Sequence, residues 1–214
     1  MKNFKEHIII YFPHFQKKKI NYNLKVNCRM FLNFKTWRVE NFDDLPSFRY
    51  FPTSCRYCVY WESLNFNNKD KKENAEQIKK NWLISIRNNF GNCGFIAYWN
   101  NRPVAFAQYA PVKHFPSISK YPEFTPSQDT IFLACLYVPD KELRGKGIGK
   151  QLIEKIELDL KNRGYRSIET YSQINLTSSE DISDWLIRPI NFFLNLNFQI
   201  LHQKNNIAHL RKKL

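Results

Sequence analysis

Residues 142–152 read Glu-Leu-Arg-Gly-Lys-Gly-Ile-Gly-Lys-Gln-Leu, so that three glycines, 145, 147 and 149, fall within five positions of a 214-residue chain holding only six. Just upstream, residues 131–138 (IFLACLYV) are apolar throughout, the pattern of a central strand covered on both faces. Downstream, Ile148, Leu152, Ile156 and Leu160 recur at helical spacing, Glu157 and Lys161 form an i,i+4 pair, and Gly164 stops the run. Residues 165–171 read as a further strand. The unit is therefore strand, glycine loop, helix, strand, a crossover that places its two strands parallel.

Two familiar phosphate loops do not fit. A P-loop ends in Gly-Lys followed by Ser or Thr, and here Gln151 follows Lys150; a dinucleotide fingerprint starting at Gly145 needs a small residue where Lys150 stands. What remains is a row of backbone N–H groups at a helix N-terminus, bare of side chains at alternate positions and flanked by Arg144, Lys146 and Lys150. That is a cradle for a pyrophosphate. A merely structural turn needs one glycine with positive φ, and each extra glycine at a helix end costs about 1 kcal/mol.

The hexapeptide Arg144-Gly145-Lys146-Gly147-Ile148-Gly149 resembles the R/Q-x-x-G-x-G/A signature of the GNAT acetyltransferases, and the likeness runs upstream to Leu136-Tyr137-Val138-Pro139 and downstream to Tyr171. In order of elements it covers residues 35–214. The resemblance implies an α/β (α+β) fold whose central mixed sheet has splayed strands and is flanked by helices. It implies acetyl-CoA as co-substrate, with the pyrophosphate on Arg144, Gly145, Lys146, Gly147, Ile148, Gly149 and Lys150, and the pantetheine arm along the free backbone of Leu136, Tyr137 and Val138. Preorganised N–H donors aimed at a developing oxyanion are worth about 3 kcal/mol of barrier. The implied reaction is direct attack of an amine on the thioester, without a covalent enzyme intermediate.

Many relatives protonate the departing thiolate with a Tyr of a Y-x-x-x-G-F motif. Here residues 193–198 align with it, which places Phe193 at the Tyr and Asn197 at the Gly. Asn tolerates the left-handed conformation of a helix C-cap, whereas a phenyl ring donates no proton. Tyr137 or Tyr171 then supplies the proton, or the thiolate leaves unaided, or catalysis is lost. For the base, Glu169 points to the cleft in one of its two registers, and Glu62, Asp129 and His114 are further candidates.

The remaining segments read more coarsely. A first strand is expected at 35–40 and a helix start at Asp43-Asp44-Leu45-Pro46. Asp70 with Glu73 forms a capping box for a helix whose buried stripe is Ile78, Trp82, Ile86 and Phe90. Residues 93–99 and 104–109 read as a hairpin around Asn100-Asn101-Arg102-Pro103. A Pro- and Ser-rich loop spans 111–128, residues 185–196 read as helix, and short strands at 198–201 and 207–210 close the sheet.

Composition bounds the function. An apolar fraction of 43% supports a buried core. The formal charge of +14 favours an anionic partner. Residues 1–34 carry seven Lys or Arg against Glu6 alone and supply +6 of that total. This stretch reads as a basic, poorly ordered extension, with Met30 an alternative start, and 35–214 as a single acetyltransferase domain. Its apolar run at 7–12 is too short to span a bilayer and its lysines follow the run, so a cytoplasmic protein is expected. The five cysteines show no disulfide framework. Cys55 and Cys58 form a C-x-x-C inside Ser54-Cys55-Arg56-Tyr57-Cys58-Val59-Tyr60-Trp61-Glu62, a stretch similar to a motif of one GNAT subgroup. Without a second pair no metal is expected, and packing of the thiols among aromatics is the reading.

Three function classes follow: an acetyl-CoA-dependent N-acetyltransferase acting on a primary amine; a module that binds acyl-CoA without turnover, on account of Phe193; and a basic nucleic-acid or ribosome-associated protein. The first is favoured, because Arg144, Lys146 and Lys150 already have a phosphate-bearing partner and no base-reading motif is present. A homodimer is compatible with it.

Overall fold

The computed structural model describes residues 31–46, 54–65, 72–174 and 188–214. Its elements in chain order are β1 (Asn33–Thr36), α1 (Lys72–Asn89), β2 (Gly94–Trp99), β3 (Arg102–Pro111), β4 (Ile131–Tyr137), α2 (Ile148–Asn162), β5 (Ser167–Gln173), β6 (Arg188–Pro189), α3 (Ile190–Leu194), β7 (Gln199–Lys204) and β8 (Ile207–Lys213). The strands make one mixed sheet in the order β1-β2-β3-β4-β5-β8-β7, with β6 beside β5. Contacts β4–β5 and β5–β6 are parallel and the others antiparallel.

Strand alternation divides the core in two. Ala105, Ala107 and Tyr109 of β3 and Leu133 and Leu136 of β4 face α2 and α3, where Ile148, Leu152, Ile156, Leu160 and Phe193 are buried. Phe106 and Ala110 of β3 with Phe132 and Tyr137 of β4 face α1, together with Trp37, Trp61, Leu83 and Tyr171. Each of the larger aliphatic and aromatic side chains withdrawn from water contributes about 1.5–3 kcal/mol, so both faces are needed to hold the sheet.

The turns follow local chemistry. Asn100 and Asn101 both adopt positive φ, 49° and 61°, and Trp99 pairs with Arg102, which makes a two-residue primed turn. The helix α2 ends as its sequence demands: Gly164 has φ +79° and the Tyr165 N–H returns to the Leu160 carbonyl at 3.0 Å.

Several expectations are corrected. The first strand is shorter, because Asn41 Nδ2 donates to the Thr36 carbonyl at 2.9 Å and the chain turns into a 3-10 segment, Val39–Asp44, which ends where a helix start was expected. The buried positions of α1 are Ala75, Lys79, Leu83 and Ile86, so Ile86 lies on the expected stripe while Lys79 and Leu83 take the places expected of Ile78 and Trp82, which with Phe90 are only half-buried. Asp70 lies outside the described residues. Of the expected helix at 185–196, residues 190–194 are helical; 188–189 form β6, since Pro189 fixes an extended entry, and 185–187 lie outside the described residues. The strands β7 and β8 are longer than expected, joined by a turn in which Asn205 has φ 53°.

Candidate functional site

Parallel strands β4 and β5 share a ladder only at Ile131–Ile168 and Phe132–Glu169. Beyond that rung β4 runs on to Tyr137 paired with β3, while β5 runs on to Gln173 paired with β8 and, at Ser172 and Gln173, with β6. No ladder pair joins residues 133–137 to 170–173, so the sheet forks at its centre. On the β3 side, Gln108 pairs with Cys135 and Tyr109 with Leu133, leaving Ala134 as a bulge. Ala134 and Cys135 consequently both pack toward the α1 face, whereas Leu136 and Val138 face α2. A bulge beside an open strand edge re-aims main-chain groups and side chains there.

The glycine loop stands above the same strand. Gly145 and Gly147 have φ +76° and +82°, and a Cβ at either would meet nothing within 4 Å, so the backbone is open to a ligand on that side. Gly147 caps α2, and the first bond of the ladder runs from Gln151 N–H to its carbonyl at 3.0 Å; the amides of 148–150 precede the ladder. Residues 144–147 are exposed. Gly149 serves packing instead, because a Cβ there would lie 3.1 Å from the Phe192 ring, and its bareness admits α3 against the start of α2.

The charged flanks are placed as follows. Arg144 Nε donates to the Val138 carbonyl at 3.0 Å and Nη2 to that of Pro139 at 3.3 Å, which ties the loop to the end of β4. Lys146 is exposed, and Lys150 is exposed with Nζ 3.9 Å from Glu154. A polyanion at the loop would find both lysines at its edge. Ile148 is buried under the loop, its side chain serving the core.

The acid–base candidates lie mainly on the α1 face. Glu169 sits at the last rung of the fork, fully buried, and both its oxygens are engaged: Oε1 by Arg211 Nε at 2.6 Å, Oε2 by His209 Nε2 at 2.7 Å and by the Ser127 amide at 3.3 Å. Tyr137 is buried on the same face at the open end of β4. Tyr171 gives its hydroxyl proton to the Phe124 carbonyl, and burial pushes its pKa well up, with Glu169 adding to the shift. His114 is held below its ordinary pKa by partial burial and by Lys113, and Asp129 is exposed. Phe193 is 1% exposed in the α2-side core against Phe198. Asn197 has φ 64°, with the Phe198 amide bonded to the Phe193 carbonyl at 3.1 Å, the left-handed cap expected there.

One constellation escaped the sequence. Glu62 and Lys79, with side chains 1% and 4% exposed, form a buried ion pair whose third member is Gln108 of β3. Lys79 donates to Glu62 Oε1 and to Gln108 Oε1 at 2.8 Å, and Gln108 Nε2 donates to Glu62 Oε1 at 2.6 Å. Burial opposes the ammonium charge, yet Glu62, with Cys58 and Cys135 adding to it, outweighs this and Lys79 is held above its ordinary pKa. The legible signal was a lysine four residues after Ala75 and four before Leu83, on the helix face that the core takes.

Cys55 and Cys93 are buried, Cys58 and Cys135 half-buried, and none of the four forms a disulfide; Cys28 lies outside the described residues. Among the described residues no group of three or more His, Cys, Asp or Glu side chains could hold a metal ion. A cavity of about 260 Å³ opens in the 112–125 segment, with Phe115, Tyr121 and Phe124 in its wall. No helix among the described residues is long and apolar enough to cross a membrane.

Residues 55–180 match the family model described as acetyltransferase (GNAT) family. No curated protein matches the chain. Among solved structures it is similar to PaiA N-acetyltransferase from Thermoplasma acidophilum in complex with coenzyme A, at 14% identity and a TM-score of 0.52, over 86% of this chain and 100% of that one. It is also similar to an N-acetyltransferase from Staphylococcus aureus Mu50, at 18% identity and a TM-score of 0.50, over 86% of this chain and 97% of that one. At these identities the likeness carries the fold alone.

Proposed function

We propose that this chain, which belongs to the acetyltransferase (GNAT) family, transfers the acetyl group of acetyl-CoA to a primary amine by direct attack on the thioester. The observation that carries this reading is the adjacency of the two open features: an exposed glycine turn at the start of α2, and the fork beginning at Leu133 on the strand that leads into that turn. The amides of residues 145–150 would bind the pyrophosphate, with Lys146 and Lys150 at its edge and Arg144 fixing the turn against Val138. The main chain of Leu136, Tyr137 and Val138 would receive the pantetheine arm. Substrate binding there holds the thioester beside main-chain donors in a low-dielectric cleft, where such donors act most strongly.

Glu169 and Tyr137 complete the proposed site, Glu169 at the root of the fork and Tyr137 at its open end. With both carboxylate oxygens engaged, Glu169 fixes the β5 wall through Arg211 and His209. Phe193 in the α2-side core favours a second reading, an acyl-CoA-binding module without turnover. The experiment is release of free thiol from acetyl-CoA by the purified protein across a panel of primary amines. Turnover on any amine supports the first reading. Acetyl-CoA binding without thiol release on the whole panel supports the second, and absence of acetyl-CoA binding contradicts both.

A further inference from the structure

The buried Glu62–Lys79–Gln108 ring is incomplete. Glu62 Oε1 accepts from both partners, but Oε2 is buried without a hydrogen-bond partner among the described residues. A buried carboxylate oxygen left unpaired is a costly arrangement and signals a missing donor. Glu169 shows the contrast, since both of its oxygens are taken by protein groups.

The ring's position says which donor fits. Gln108 is the cross-strand partner of Cys135, next to the Ala134 bulge, and Phe132, the last β4 residue laddered to β5, lies three positions earlier. The ring therefore stands one strand away from the forked stretch of β4. It stands on the α1 face, whereas the glycine loop and α2 cover the opposite face. A group that entered the fork from the α1 side would have Glu62, and not the phosphate loop, as its neighbour. With Lys79 already on Oε1, Oε2 can accept from one further N–H or O–H donor; a primary amine carries N–H groups and a quaternary one does not.

We propose that Glu62 Oε2 is the contact for the amino group of the acceptor, so that the Trp61-Glu62 segment selects acceptors bearing a primary amine. This rests on the reading of the chain as an N-acetyltransferase. Glu62 binds and orients the amine through N–H to Oε2, with Lys79 and Gln108 as positioning residues that hold the carboxylate still.

The test is calorimetry on the full chain saturated with coenzyme A, which cannot be consumed, titrated with n-butylamine, tyramine, spermidine and the matching trimethylammonium compound of each. The wild type is expected to bind at least one primary amine more than tenfold tighter than its trimethylammonium counterpart. Glu62→Gln is expected to reduce that preference to under threefold with coenzyme A affinity unchanged. Should Glu62→Gln fail to fold with Lys79 left unpaired, Glu62→Gln with Lys79→Met removes both charges together and the same loss of preference is expected. A merely structural role leaves the preference intact in either variant, and that result overturns the proposal, as does a wild type that holds coenzyme A but shows no preference for any primary amine. Loss of coenzyme A binding by the wild type would instead overturn the reading of the glycine loop.

Discussion

Thr170 Oγ1 donates a hydrogen bond to the Leu133 carbonyl at 2.9 Å, one residue beyond the last ladder pair of β4 and β5. A side chain thus closes the root of the fork where the backbone ladder has stopped. The bond is buried, with Thr170 4% exposed, so the Leu133 carbonyl depends on it. Thr170→Val keeps the shape and removes the donor. It is expected to lower unfolding free energy by about 1–3 kcal/mol, read from the urea midpoint. An unchanged midpoint would show that the fork does not need this closure.

Gly149 and Phe192 should be energetically coupled. A Cβ at 149 would sit 3.1 Å from the ring of Phe192, itself packed against Phe193. Gly149→Ala is expected to destabilise by about 1 kcal/mol, since overpacking outweighs the gain in helix propensity. Phe192→Leu in the same chain should recover most of the loss. Additive effects in the double-mutant cycle would contradict the contact.

Asn197 carries the cost of a left-handed residue at the end of α3, with φ 64°. Asn197→Gly is expected to stabilise by about 0.5–1 kcal/mol, and Asn197→Ala to destabilise by roughly 1 kcal/mol. Thermal unfolding of the pair checks the ordering, and a more stable Ala variant would mean that the turn is not needed.

The thiol of Cys93 gives a pH dependence with a definite sign. Burial pushes it from the ordinary 9.0 up to about 12, against the opposing pull of Arg87, Lys79 and Arg163. The folded state therefore holds this proton more tightly than the unfolded chain. Its contribution to stability is complete below pH 9 and is lost as pH rises toward about 12. Over that interval it amounts to on the order of 3–4 kcal/mol. The urea midpoint of the wild type should fall more steeply above pH 9 than that of Cys93→Ala, and parallel slopes would refute the assignment.

Much of this site was legible because its elements are local. The glycine loop, the stripe of α2 and the left-handed position of Asn197 each follow from residues within a few places of one another. The fork was not legible from composition, since residues 133–137 look like any covered strand; it came with the family resemblance, and the bulge at Ala134 appears only in the pairing with β3. The face of α1 was misjudged because apolar spacing favours Ile78 and Trp82, whereas Glu62 and Gln108, remote in sequence, draw Lys79 inward. Phe193 at a position where relatives carry Tyr was visible at once. Its burial against Phe198 needed the fold.

The central claim is that the turn capped by Gly147 receives the pyrophosphate of acetyl-CoA. Calorimetry with acetyl-CoA on the wild type and on Gly147→Glu tests it most directly, because a Cβ at 147 touches nothing within 4 Å and the added carboxylate would project into the space assigned to the phosphates. The left-handed φ of +82° adds about 1–2 kcal/mol of strain, so folding of the variant is confirmed by circular dichroism first. The wild type is expected to bind and the folded variant to lose at least a hundredfold in affinity. Equal binding by the two would contradict the placement of the substrate and, with it, the account of the fork.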